Sequence, residues 1–135
     1  MRRPEGLDHH VPVAEDSRRS LGQEGESAAA DWLRRAGLTI VARGFRARCG
    51  EIDLIARDGT TIVFVEVKTR SGTGFGFPAD AVTPEKRRRM IRVASIFLAR
   101  SGYEERPCRF DVVEVVPAGS SWRVRHIPDA FRPGD

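Results

Sequence analysis

Residues 50–70, GEIDLIARDGTTIVFVEVKTR, decide the fold of this chain. Apolar and polar side chains alternate over residues 51–57, and β-branched residues dominate residues 60–68, so each segment is predicted to be a β-strand. The dipeptide Asp58-Gly59 stands between them and favours the tight turn of a hairpin. The stretch therefore predicts two adjacent antiparallel strands.

Three acidic side chains and one lysine fall on the same face of this hairpin. With Asp-Gly as a two-residue loop, Glu51 lies opposite Glu66, and Asp53 is a diagonal neighbour of Glu66 within about 7 Å. Lys68 lies two residues further along that face. A register slip of one residue would move Asp53 to the other face, so the prediction depends on the turn.

Carboxylates crowded on one sheet face repel each other unless a cation lies among them. Hard oxygen ligands suit Mg²⁺ or Mn²⁺, which can acidify a water and offset charge on a phosphate. The pattern indicates metal-dependent phosphodiester hydrolysis. For a single hairpin, the commoner alternative is a solvated face with hydrated charges. Ile55, Ile62 and Phe64 share the face, however, which indicates that it is at least partly covered.

A first helix is predicted over residues 21–36, with Gly22, Ala29 and Leu33 on its apolar side. Glu26 falls inside that apolar side, where an acidic residue is unusual. Two interpretations stay open: a carboxylate at the helix edge that reaches water or an arginine, or a further member of the acidic group.

A second helix is predicted from Thr83 to the residue before Gly102. Three further strands complete the order αβββαββ: residues 39–45, 109–116 and 122–127. This order predicts an α/β fold with a mixed central sheet flanked by helices, in which the second helix crosses over to a parallel strand. Residues 1–19 show no periodicity and are predicted to form a mobile tail before a single domain at residues 20–135.

A basic run opens the second helix, and a loop of alternating glycine and phenylalanine precedes it. The residues that could contact phosphates are Arg70, Lys86, Arg87, Arg88, Arg89 and Arg92. A solvated helix face explains the run equally well, because 21 of the 23 basic residues in the chain are arginine. Phe75 and Phe77 could stack on bases, although plugging of the core by the loop is the favoured interpretation.

The composition bounds the class of protein. A chain of 135 residues with 40% hydrophobic and 31% charged residues fits one globular domain, and a net charge of +4 is compatible with a polyanionic partner. No apolar run approaches the roughly 20 residues of a membrane span, and no secretory signal pattern is present, so we expect a cytoplasmic protein without a membrane partner. Cys49 and Cys108 lack the paired spacing of a zinc site and are expected to be reduced.

Three stretches resemble the YraN-like family of uncharacterised bacterial proteins. They are GQEGESAAADWL at residues 22–33, the hairpin at residues 50–70, and RFDVVEV at residues 109–115. The resemblance extends from Leu21 to Phe131. That family belongs to the PD-(D/E)XK nuclease superfamily, which has a restriction-endonuclease-like fold, and is similar to archaeal Holliday-junction resolvases.

The resemblance implies a role for each acidic residue. Asp53 and Glu66 would be ligands of Mg²⁺ or Mn²⁺, and Lys68 would be the catalytic lysine. Glu26 matches the carboxylate of the first helix that joins a resolvase-type site as a catalytic residue and metal ligand, directly or through water. Glu51 has no counterpart and is expected to lie behind the ligands. The proline that precedes the aspartate in the superfamily is Ile52 here, which affects only the backbone.

The implied function is a DNA-binding, metal-dependent endonuclease that selects branched structures such as junctions or flaps. The alternative is a catalytically silent nucleic-acid-binding or scaffold module in a repair or processing complex, and RNA stays open as a substrate. Resolvases work as symmetric dimers, so a homodimer is expected by analogy.

Overall fold

The computed structural model describes residues 9–12 by their backbone alone, and residues 20–72, 74–78 and 81–134 in full. These residues form two helices and six strands. In chain order they are β1 (His9–Pro12), α1 (Leu21–Arg35), β2 (Thr39–Ala47), β3 (Gly50–Asp58), β4 (Thr61–Thr69), α2 (Pro84–Ser101), β5 (Cys108–Ala118) and β6 (Ser121–Phe131). From α1 to β6 the order is αβββαββ, which confirms the predicted restriction-endonuclease-like architecture.

The strands form one mixed sheet in the order β1-β6-β5-β4-β3-β2. β4 and β5 are parallel, and every other neighbouring pair is antiparallel. Because α2 connects the two parallel strands, it is the predicted crossover helix. α1 packs on one face of the sheet around Leu33, and α2 packs on the other around Phe97. Neither helix of the described chain has the length and apolar character that a membrane crossing needs.

β1 lies in the segment predicted to be an irregular tail. It pairs with β6 from His9↔Val124 to Pro12↔Ser121 and forms one edge of the sheet. The tail prediction is therefore wrong for these four residues, and the remainder of residues 1–19 lies outside the described part. Four residues are too few to show a period of two, and the pairing depends on an edge of β6 that the local sequence does not reveal.

Capping residues set the ends of the helices: α2 begins and ends at its predicted signals, whereas the cap of α1 at Ser20 was not predicted. The Ser20 hydroxyl accepts a hydrogen bond from the backbone N–H of Gln23, and the Gln23 side chain accepts one from the backbone N–H of Ser20, which together form a capping box. The Thr83 side chain caps α2, and Pro84 occupies its first turn. Gly102 ends α2 in the left-handed conformation, with φ of 71°. The helix bounds therefore follow from local chemistry.

The β3–β4 hairpin has a different register from the predicted one. Its ladder runs from Asp58↔Thr61 to Leu54↔Val65, so the loop consists of residues 59–60 and Asp58 belongs to the ladder. Arg109 of β5 forms a 3.0 Å ion pair with the Asp58 carboxylate, which favours this position over the loop.

The register error leaves every side chain on its predicted face. Each residue of β3 pairs with a β4 residue two positions later than predicted. Because side chains two residues apart in a strand point to the same face, this shift leaves each side chain on its predicted face of the sheet. Ile55, Ile62 and Phe64 are fully buried in the core on the α2 side, so the face predicted to be at least partly covered is covered completely at these residues. Extending the observed ladder places Asp53 directly opposite Glu66 rather than diagonal to it.

Gly25 allows α1 to approach the sheet closely. It is buried, and a Cβ atom at this position would overlap the Thr69 side chain and lie 3.1 Å from a methyl group of Val115. The prediction that Gly22 belongs to the buried side of the helix is wrong, because Gly22 is exposed. The close approach at Gly25 brings the next residue, Glu26, toward the end of β4.

We expect Gly25→Ala to lower the free energy of unfolding by about 1–3 kcal/mol, because the added methyl group must displace packed side chains. Gly22→Ala is the matched control in the same helix, where the nearest atom to a new Cβ is 4.0 Å away. It should raise stability by up to about 1 kcal/mol through helix propensity. Urea denaturation of both variants measures the difference, and equal effects would contradict the close packing at Gly25.

Candidate active site

The candidate site lies where β3 and β4 separate. Their ladder ends at Leu54↔Val65, although β3 continues alongside β2 and β4 continues alongside β5. Beyond this point the Asp53 carboxylate accepts a 2.9 Å hydrogen bond from the backbone N–H of Val67. A side chain thus takes the place of a strand carbonyl, which fixes the Asp53 carboxylate at the fork between the two strands.

Glu66 lies across the fork from Asp53 and is buried, with 3% of its surface exposed. Burial raises the pKa of Glu66 from 4.5 to about 8, and a hydrogen bond with Asp53 together with the charge of that residue adds to the increase. Lys86 of α2 forms an ion pair with Glu66 and opposes the shift. Asp53 and Glu66 are therefore a hydrogen-bonded carboxyl pair in which Glu66 favours its protonated form, with an ammonium group beside it.

Lys68 lies two residues beyond Glu66 on β4 and is half-buried. Its side chain forms no ion pair within the part of the chain that the structure describes. The residue beside Lys68 in β5 is Glu114, whose carboxylate is bound by Arg70 at 3.1 Å and by Arg125 at 2.6 Å. Because these guanidinium groups neutralise Glu114, the ammonium group of Lys68 is not drawn into a structural ion pair.

Glu26 approaches the site from α1 and is half-buried. Burial raises its pKa, and the negative charge of Asp53 adds to that increase, whereas Arg43 lowers the pKa. Glu26 therefore lies within electrostatic range of Asp53. Among residues 20–72, 74–78 and 81–134, no three His, Cys, Asp or Glu side chains are grouped closely enough to hold a metal ion. The structure brings Asp53 and Glu66 together and leaves Glu26 at a greater distance.

Glu51 lies at the rim of the site. It forms a 3.3 Å ion pair with Arg46 of β2, and 41% of its side chain is exposed. The negative charge of Glu51 also raises the pKa of Glu26. The predicted role of Glu51 behind the ligands stays a prediction, and the residue itself lines the cavity beside the carboxyl pair.

A cavity of about 290 Å³ opens beside the carboxyl pair. Its walls are Cys49, Gly50, Glu51, Asp53, Glu66, Lys86, Arg89 and Met90. The acidic wall comes from β3 and β4, whereas the basic wall comes from the first half of α2. A liquid water occupies about 30 Å³, so a hydrated ion fits between the two walls.

The carboxyl pair fits a hard divalent cation. The negative charge of Glu66 is compensated by the proton that its raised pKa favours and by the Lys86 ammonium. A metal ion bound at the same place would supply that compensating charge instead. Asp53 and Glu66 offer carboxylate oxygens, the donors that Mg²⁺ and Mn²⁺ prefer, and Mg²⁺ usually retains several waters beside one or two carboxylates. These two residues are the candidate ligands, and the negative charge of Asp53 is felt at Glu26.

The basic residues predicted to contact phosphates divide into two groups. Arg70 and Lys86 are engaged with Glu114 and Glu66, and Arg87 donates a 3.0 Å hydrogen bond to the Val82 carbonyl. The other three are exposed along α2: Arg88, Arg89 and Arg92. Sequence periodicity does not separate the two groups, because their partners lie on β4, on β5 and in the loop before α2.

Sequence reasoning missed Glu114 and Arg125. Glu114 is fully buried and interrupts the apolar run Val112–Val116. An acidic residue within such a run is a signal for a buried polar cluster. Its partners cannot be identified from the sequence, since Arg70 lies 44 residues away along the chain.

The comparisons with known proteins point to one family. The sequence profile of Uncharacterised protein family UPF0102 matches residues 25–115. A UPF0102 protein of Symbiobacterium thermophilum is 55% identical over 114 residues, which cover 84% of this chain and 97% of the relative. A UPF0102 protein of Prosthecochloris aestuarii is 47% identical over 117 residues, which cover 82% and 92% of the two chains. One from Nocardia farcinica is 54% identical over 99 residues, which cover 73% and 78%.

We expect the metal-free protein to lose stability as the pH rises from about 5 to about 8. Because the pKa of Glu66 is raised in the folded state, folding retains a proton that the unfolded chain releases, and this contribution is lost as the pH approaches 8. Glu66→Gln should flatten the profile in that range. Urea denaturation in the presence of a chelator gives the profiles, with Glu105→Gln at an exposed position as the control. Parallel profiles for Glu66→Gln and the wild type would contradict the raised pKa.

Proposed function

The chain belongs to the uncharacterised protein family UPF0102, of the restriction-endonuclease-like nuclease superfamily, and we propose that it is a metal-dependent nuclease that acts on DNA. The arrangement that carries this proposal is the Asp53–Glu66 carboxyl pair at the strand fork, with the uncommitted ammonium group of Lys68 two residues away. Phosphodiester hydrolysis needs both parts, because the attacking water must lose a proton and the phosphate must gain compensation for its developing charge.

In this proposal Asp53 and Glu66 hold the metal ion, which when bound acidifies a water and offsets negative charge on the phosphate. The Val67 N–H fixes the Asp53 carboxylate before any ligand arrives. Lys68 binds a phosphoryl oxygen and stabilises the charge that develops on it. Glu26, whose pKa is raised mainly by burial, would accept a proton from a water on the α1 side.

The proposed DNA surface surrounds the cavity. Arg88, Arg89 and Arg92 are exposed on α2. The β2–β3 turn lies against the same helix, since a Cβ at Gly50 would be 3.8 Å from the Cβ of Arg89, and it carries the exposed Arg48. Cations on both sides of the cavity suit the phosphates that flank a cleaved bond. Contacts of this kind position a duplex without reading its sequence, which favours recognition of DNA shape.

One contact favours the alternative of a catalytically silent binding module. The Lys86 ammonium already neutralises Glu66 through a direct ion pair. A protein that does not use a metal ion would need this internal compensation for a buried carboxylate. Lys86 is also compatible with catalysis, because 42% of its side chain is exposed and the ammonium group can move from Glu66 to a phosphate when a metal ion binds.

We expect Asp53→Asn and Lys68→Ala each to reduce cleavage by at least about 100-fold, because each removes a charge that the transition state requires. The assay uses labelled four-way junction, flap, single-stranded and duplex DNA with Mg²⁺ or Mn²⁺, together with RNA of matching sequence. Glu105→Gln removes one exposed carboxylate and should cleave like the wild type. Cleavage that survives both site substitutions would contradict the site. Binding without cleavage by the wild type would favour the silent module.

We expect Arg89→Ala with Arg92→Ala to reduce the slope of log affinity against log salt by about 2, because two phosphate contacts are lost. Arg34→Ala with Arg35→Ala is the matched control, since it removes the same charge from exposed positions at the end of α1. Arg87→Ala should change the slope less, because Arg87 is bonded to the Val82 carbonyl. Fluorescence anisotropy with duplex DNA gives the slopes. Equal slopes for the α1 and α2 pairs would remove α2 from the interface.

A further inference from the structure

Phe77 is exposed in the loop between β4 and α2. It has 78% of its surface exposed, compared with 46% for Leu21 and 38% for Val41, the other exposed large apolar residues that the structure describes. The favoured prediction that this ring plugs the core is therefore wrong. Leu21 lies at the start of α1 and Val41 lies in β2, so Phe77 is a single aromatic ring rather than part of an apolar patch.

The residues just before Phe77 are held in place. The Phe75 ring lies 5.2 Å from the guanidinium carbon of Arg123 and 4.9 Å from that of Arg125. Arg125 also donates a hydrogen bond to the carbonyl of Gly76. The Arg70 guanidinium occupies the space that a Cβ at position 76 would need. The loop therefore presents Phe77 from an anchored backbone, which reduces the entropy lost when the ring is covered.

The anchor is the buried carboxylate of Glu114, which is fully enclosed. Glu114 binds both arginines that hold the loop, Arg70 and Arg125. In the backbone register of β4 and β5, Glu114 lies beside Lys68. Lys68 is thus the strand neighbour of the residue that binds Arg125, and Arg125 in turn binds Gly76, the neighbour of Phe77. The exposed ring belongs to the same end of the sheet as the candidate active site.

We propose that Phe77 stacks on an unpaired nucleobase of the DNA bound at this site, with Glu114 as the positioning residue that holds the loop. The proposal rests on the proposed function and adds the element of substrate structure that the protein recognises. Arg70 and Arg125 share the single carboxylate of Glu114, so the base of the loop keeps a net positive charge that attracts a phosphate, while the exposed ring can cover the base of the same nucleotide. A protein partner would need an apolar surface around the ring, and no other exposed large apolar side chain lies in the described part of this loop.

The test measures binding in the presence of a chelator, so that it does not depend on cleavage. Phe77→Ala should weaken binding to a flap or single strand by about 5- to 150-fold, and should leave fully paired duplex binding unchanged. Phe77→Leu should lose most of the same affinity, because it keeps an apolar side chain without an aromatic face. Leu21→Ala is the control for loss of an exposed apolar residue elsewhere and should bind as the wild type does.

A second measurement reports stacking directly. Phe77→Trp places an indole at the exposed position, while Trp32 and Trp122 are buried and contribute a constant background. Its fluorescence should be quenched by a DNA flap and should not change with blunt duplex. Gly76→Ala should weaken quenching, because the added methyl group displaces the Arg70 guanidinium and shifts the loop.

Several results would overturn the proposal: wild-type affinity in Phe77→Ala, full affinity in Phe77→Leu, or no quenching in Phe77→Trp. Quenching by RNA alone would replace DNA with RNA as the substrate class. Stacking without cleavage by the wild type would overturn the proposed hydrolysis and leave this proposal standing. Cleavage by the wild type together with unchanged flap binding in Phe77→Ala would overturn the stacking proposal and leave the proposed hydrolysis standing.

Discussion

The hydrogen bond from the Val67 N–H to the Asp53 carboxylate is the contact on which the site depends. It is formed because β3 pairs with β4 only from Leu54 onward, while residues 50–53 stay paired with β2 and β4 stays paired with β5. The separation opens the cavity, and the carboxylate satisfies a strand N–H that would otherwise be unpaired. The hydrogen bond also orients the Asp53 carboxylate toward Glu66, which is buried. A continuous ladder would leave no space between the two strands for a cation or a phosphate.

Buried carboxylates line the two central strands, and each is compensated differently. Asp111 is bound by Arg109 and by His126, which is itself buried. Glu114 is enclosed by two arginines whose side chains are 26% and 18% exposed. The ion pair of Glu66 with Lys86 is the one with the most exposed cation, at 42%. Because an exposed lysine loses little by moving to water or to a phosphate, Glu66 is the carboxylate of the three that can exchange its counter-ion.

The sequence was sufficient for the features that local chemistry determines. Capping residues located α2, the spacing of apolar residues located α1, and alternation and β-branched residues located the two hairpin strands. The common face of Asp53 and Glu66 was predicted correctly despite a wrong register, since the error was an even number of residues. β1 could not be predicted because its pairing depends on a distant strand. The exposure of Phe77 was missed because hydrophobicity predicts burial, whereas the arginines that hold the loop come from β6 and from the end of β4.

Glu114 connects the candidate site to the loop that carries Phe77. A buried ion pair is often no more stabilising than apolar residues of similar volume, so stability alone does not account for a carboxylate in the run Val112–Val116. An apolar residue at position 114 would leave Arg70 and Arg125 without their acceptor and would release the loop before α2. The same carboxylate, if uncompensated, would attract the ammonium group of its ladder neighbour, Lys68. The cluster therefore performs two tasks together: it keeps Lys68 uncommitted and it fixes the loop beside it.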